Sequence, residues 1–103
     1  MTEDEILQGV QQPGKFDATV ASEADALRIV RTALPRAIEL PAAVAGKPYP
    51  SPPRWIKAWF QTHLAESSAG NNLPHVKYAD WTRGKKGRGG SWGLLFFPPP
   101  VGT

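Results

Sequence analysis

The sequence predicts an α+β fold, with an N-terminal helical part packed on a small antiparallel sheet. Three observations point there. An apolar stripe at helical spacing, Ala26, Leu27, Val30, Ala33 and Leu34, occupies the first half of the chain. Nine of the ten aromatic residues fall between Tyr49 and Phe97, in runs of strand-like composition. A proline-rich stretch separates the two parts, so helices and strands segregate along the chain instead of alternating.

In chain order, Thr2 followed by Glu5 has the spacing of a capping box, and a short helix is expected over Thr2 to Val10, ended by Gln11-Gln12-Pro13-Gly14. Ser22 is an N-cap for the second helix, with Glu23 and Asp25 on its first turn, where the helix dipole favours negative charge. Pro35 closes it. Arg28 and Arg31 point away from the stripe and read as solvated. Residues 1–40 thus form the helical part. From Pro41 to Pro53 there are five prolines and one glycine in thirteen residues, which forbids regular structure and suggests a stiff, extended connector. A proline-recognition ligand is the alternative for this stretch.

Arg54 to Leu64 fits both a helical stripe and a strand. Its β-branched and aromatic content and the preceding proline pair favour a strand, with Ile56, Ala58, Phe60, Thr62 and Leu64 on one face and Trp55, Lys57, Trp59, Gln61 and His63 on the other. Glu66 to Asn72 reads as a polar loop. From His75 to Trp81 the side chains alternate, with His75, Lys77 and Ala79 sharing a face and Val76 and Tyr78 the other. The run Ser91 to Phe97 is the last strand, followed by a tail over 98–103. Between these two strands, Thr82 to Gly90 holds Arg83, Lys85, Lys86 and Arg88 among four glycines, so residues 54–97 read as a sheet with a cationic hairpin tip at 82–90.

Composition narrows the function classes. One domain of 103 residues is expected to bury about 60 to 65% of its unfolded surface. The absence of cysteine excludes disulfides and thiolate zinc sites, and two histidines alone argue against a metal centre; no cofactor is expected. No apolar run approaches the roughly 20 residues needed to span a bilayer, and the acidic start is unlike a signal peptide, so export would be directed from elsewhere. The net charge of +3 is uneven. Residues 1–52 carry five Lys or Arg against seven acids, whereas residues 53–103 carry seven against two. That asymmetry suggests an anionic partner for the second half, although charge alone leaves a solvated basic face open.

The glycine-rich loop matches neither phosphate cradle: the Walker A order is missing, and a dinucleotide fingerprint starting at Gly87 would need glycine where Trp92 stands. Arg83, Lys85 and Lys86, flanked by Trp81 and Trp92, suit flexible single-stranded nucleic acid better than a duplex groove, cations taking phosphates and indoles stacking on bases. Metal-free RNA cleavage needs a general base, an acid and a cation at the phosphate. His75 could be base or acid, Lys77, Lys85 and Arg88 could supply the positive field, and Ser91 could hold a phosphate oxygen. Purely structural readings of each residue remain open, His75 as a structural histidine and Asp80 with Arg83 as a surface pair.

The segments Lys57-Ala58-Trp59-Phe60-Gln61, Gly70-Asn71-Asn72-Leu73-Pro74-His75-Val76-Lys77-Tyr78-Ala79-Asp80-Trp81-Thr82, Gly84-Lys85-Lys86-Gly87 and Gly89-Gly90-Ser91-Trp92-Gly93 resemble the polymorphic toxin type 17 domain. Ala43 to Pro50 is similar too. The resemblance implies the C-terminal toxin domain of a secreted bacterial effector, acting as a metal-independent RNase in the cytoplasm of a competitor cell. It also implies a fold similar to the barnase, colicin E5 and RelE group. A cognate, acidic immunity protein would be its partner, with no membrane involvement and a monomer apart from that complex. After Ser91-Trp92-Gly93 the family is expected to carry histidine where this chain has Leu94, which would make the chain an inactivated toxin or a natural variant. Two other readings stay in view: a non-catalytic RNA- or anion-binding module and a protein-interaction domain using the proline connector.

Overall fold

The computed structural model describes residues 1–66 and 72–99. It is an α+β domain of two helices and a mixed, six-stranded sheet. Helix α1 spans Glu3–Gln11 and helix α2 Glu23–Ala33; the strands are β1 Gly14–Lys15, β2 Ala18–Thr19, β3 Ile38–Glu39, β4 Ala58–His63, β5 His75–Asp80 and β6 Ser91–Phe96. The expected loop over Glu66 to Asn72 and the tail over 98–103 lie partly outside the described residues.

Both helices start as their caps dictate. Thr2 and Glu5 make a reciprocal capping box, and the hydrogen bonds that the Glu5 carboxylate accepts, first from the Thr2 backbone, hold its pKa below the usual range. The Ser22 hydroxyl accepts from the Asp25 amide at 3.1 Å. Ser22→Ala is therefore expected to cost about 1 kcal/mol in urea denaturation, without a change in the slope of the transition. Ala26, Ile29, Val30 and Ala33 are buried, together with Ile6 and Val10 of α1, against Phe60, Val76, Tyr78, Leu95 and Phe97 on one face of the sheet. Arg28 and Arg31 are solvated, as expected, and pair on the surface, Arg28 with Glu3 and Asp25 and Arg31 with Glu39. Exposed pairs of this kind contribute little.

The expectation of a purely antiparallel sheet needs correction. Strands β4, β5 and β6 do form an antiparallel meander, but β1 and β2 run parallel to β6, and β3 runs parallel to β4. These two-residue strands are too short to show alternation in sequence; they form because the meander's outer strands present unpaired backbone groups that the chain covers as it passes. Strand β4 also begins at Ala58, not Arg54. The Ile56 amide donates to the Pro53 carbonyl at 3.0 Å, so the proline pair leads into a turn, and Trp55 lies outside the sheet.

The connector is irregular, as its prolines require, but it is not extended. The Gln61 amide nitrogen donates to the carbonyls of both Pro41 and Pro50, at 2.9 and 3.1 Å, so residues nine apart converge on one side chain. The segment turns back across the sheet face opposite the helices, and the Tyr49 ring rests 4.3 Å from the ring of His63. Packed this way it is part of the fold, which disfavours a freely offered proline ligand.

Candidate nucleic-acid interface

The alternation of β4, β5 and β6 leaves a second sheet face, built from Trp59, Gln61 and His63, from His75, Lys77 and Ala79, and from Trp92, Leu94 and Phe96. Its two ends differ in chemistry.

At the hairpin end, Asp80 accepts from both the amide and the hydroxyl of Thr82, at 3.0 and 2.6 Å, and starts the turn. The expected Asp80–Arg83 surface pair is thus replaced by a local one. Amides of Arg88 and Gly90 donate back to the Lys85 carbonyl. Gly84 has φ +134°, and a side chain there would run into the Arg88 carbonyl, so the sharp loop requires glycine. Trp81 lies between Trp59 and Trp92, ring centroids 6.1 and 5.9 Å away, and the Lys86 ammonium sits over the Trp92 ring at 5.4 Å. The Trp81 amide donates to the Lys57 carbonyl at 2.7 Å, which fixes the turn before β4 against the hairpin. Together they enclose an open cavity of about 650 Å³ lined by Arg54, Ile56, Lys57, Trp81, Thr82, Gly84, Lys85 and Lys86. Four of those eight residues are cationic, and none is acidic.

Several expected roles fall elsewhere. Ser91 is 2% exposed and faces the helices, where its hydroxyl donates to the Gln12 carbonyl at 2.7 Å; it ties β6 to the end of α1, away from the open face. Arg83 turns to the same side and donates to the Gln11 carbonyl at 2.9 Å, at the negative end of the α1 dipole. Arg88 is exposed on the loop and outside the cavity lining. The expected gathering of His75 with Lys85 and Arg88 does not occur. The register pairs His75 with Phe96 and Asp80 with Ser91, so His75 lies at the far end of β5, about 17 Å of strand from the turn.

At that far end His75 is 1% exposed, its Nδ1 3.0 Å from the Leu73 carbonyl. Its ring lies 5.3 Å from those of His63 and Phe96. Burial, followed by the neighbouring His75 and Lys77 charges, pushes the His63 pKa down to about 4. Lys77 is exposed midway along the face, with Leu94 as its cross-strand partner.

Arg54 and Lys57 were missed as site residues. Their signal was present: both belong to the basic half, three apart, and flank Trp55, which is 78% exposed. Only the turn before β4 brings them to the hairpin.

The chain matches no family model, no curated protein and no solved structure.

Proposed function

We propose that this domain binds single-stranded RNA at the hairpin end of its open sheet face. The observation that carries the reading is the cavity edged by Trp81, with Arg54, Lys57, Lys85 and Lys86 around it and no carboxylate among its lining residues. Clustered cations neutralise phosphates and release counterions, while Trp55, exposed between Arg54 and Ile56, offers a ring on which a base can stack. Four phosphate contacts on a single strand correspond to a salt slope of about −0.7 each, so affinity should fall roughly 50-fold between 50 and 200 mM salt. Fluorescence anisotropy of a labelled oligoribonucleotide tests this. Neutralising Lys57, Lys85 and Lys86 to Gln should leave roughly a quarter of that slope, and Trp55→Ala should weaken binding about tenfold. Affinity that ignores salt, or a triple variant that binds like the parent, would refute the interface.

A second reading, the metal-independent RNase toxin of a secreted effector neutralised by an acidic immunity protein, is favoured by one juxtaposition. Leu94, where the resembling family is expected to carry histidine, lies directly across from Lys77 on the face that also holds His75 and the RNA cleft. An imidazole at position 94 would stand beside the exposed Lys77 ammonium, with the acid-base group and the cation adjacent. Leu94→His protein is expected to cleave RNA in EDTA and to lose that activity with Lys77→Ala. Binding without product in every variant leaves the RNA-binding module as the function.

A further inference from the structure

The count of two histidines argued against a metal, yet the sheet register brings both together. His63, the last residue of β4, is the direct cross-strand partner of His75, the first of β5. The chain between them supplies a carboxylate: Glu66 Oε1 lies 3.8 Å from His75 Nε2. One ligand atom from each of His63, Glu66 and His75 falls within 4.8 Å of the others. Ligand atoms around a tetrahedral ion at about 2.0 Å stand roughly 3.3 Å apart, so modest side-chain rotation closes this set on an ion.

The surrounding hydrogen bonds assign a tautomer to each ring. The Leu73 carbonyl can only accept, so His75 Nδ1 carries the proton and its Nε2, the atom facing Glu66, keeps the lone pair. The orientation of Gln61 is set independently, because its amide nitrogen is used by the carbonyls of Pro41 and Pro50. Its Oε1 must therefore face His63 Nε2, 2.7 Å away, which makes that nitrogen the donor and leaves Nδ1 of His63 with the lone pair. Two imidazoles, each held by a carbonyl-type oxygen on one nitrogen and, among the described residues, without a hydrogen bond on the other, match the outer-shell arrangement that metal-ligating histidines use.

We infer that His63, Glu66 and His75 form a three-ligand site for a first-row divalent cation, with Zn²⁺ the best match to two imidazoles, one carboxylate and an open fourth position. The ion would pin the chain after β4 to the start of β5. This site lies at the end of the face opposite the RNA cleft and stands whether or not the domain binds RNA.

The test uses the whole chain, free of any affinity tag and stripped with EDTA, titrated calorimetrically with ZnCl₂. One equivalent is expected to bind, and the thermal midpoint to rise by roughly 10 °C once free Zn²⁺ reaches about a hundred times its Kd. Glu66→Gln, at a half-exposed position outside the sheet, should fold normally and bind Zn²⁺ at least tenfold more weakly. Co²⁺ in place of Zn²⁺ should give the intense visible bands of a four-coordinate ion, and these should vanish in His63→Gln. MgCl₂ should do none of this, because imidazoles hold it poorly. Absence of Zn²⁺ binding, binding untouched by both substitutions, or equal binding of Mg²⁺ would each overturn the site.

Discussion

Gly93→Ala is expected to lower stability by about 3–5 kcal/mol. Gly93 sits in the middle of β6, opposite Tyr78. A Cβ there would run into the Phe16 carbonyl oxygen and stand 2.9 Å from the Tyr78 hydroxyl. The same carbonyl accepts the Tyr78 hydroxyl at 3.0 Å, and the Phe16 amide donates to Trp92 at 3.0 Å, so the backbone between β1 and β2 is held against β6 from both sides. Room for a methyl group exists only if that backbone lifts away. Overpacking of this kind costs about 1–3 kcal/mol, and leaving the buried phenol without its partner adds about 1–3 more. Burial already pushes the Tyr78 pKa up, which marks how little water could replace the lost acceptor. Urea denaturation of Gly93→Ala beside Tyr78→Phe checks the account. The tyrosine variant, which removes only the hydrogen bond, should lose about 1 kcal/mol. Equal losses in the two variants would show that the approach of Phe16 to β6 is not what Gly93 protects.

The second large effect is on pH. His63 is 6% exposed and has its pKa lowered from 6.5 to about 4, chiefly by burial and then by the charges of His75 and Lys77, with Glu66 opposing. A depressed imidazole pKa means that the unfolded chain binds the proton more tightly than the native one. Stability is therefore full above about pH 6.5 and falls as the pH drops towards 4, below which both states are protonated and no more is lost. A shift of this size corresponds to about 3 kcal/mol, a large part of the margin of a small domain. Urea midpoints measured from pH 7.5 to 3.5, in EDTA so that no metal competes for the ring, should trace this decline. His63→Gln should flatten it over the same window. A midpoint constant between pH 6.5 and 4 in the parent chain would contradict the burial of a neutral ring against Tyr49 and His75.

The two ends of the open face frame how an RNA strand would lie on it. Cations and indoles at the hairpin would hold the backbone, whereas the His63 end is covered by Tyr49 and the returning connector, which would keep a strand from His75. Chemistry on a bound strand would fall midway, where Lys77 is exposed and Leu94 faces it. For that reason position 94, and not His75, is the place to introduce an imidazole.

Local chemistry was enough for much of this molecule. Both capping residues, most of the buried stripe of α2 (Ile29 is buried as well, and Leu27 only partly), the alternation of β5 and the cationic hairpin are short-range patterns, in which each residue's role follows from neighbours within four positions. The basic, aromatic character of the second half was equally legible, because charge and side-chain type do not depend on how strands pair. Which of those residues meet was a different matter. A β-strand separates its ends by about 3.4 Å per residue, so proximity in sequence, as between His75 and the loop, became distance in space. Antiparallel pairing did the reverse for His63 and His75, twelve positions apart, and the turn before β4 did it for Arg54, Lys57 and the hairpin lysines. Pairing register and chain reversal are set by long-range burial of the Phe60, Tyr78 and Leu95 face against two helices, and no window of sequence contains that competition.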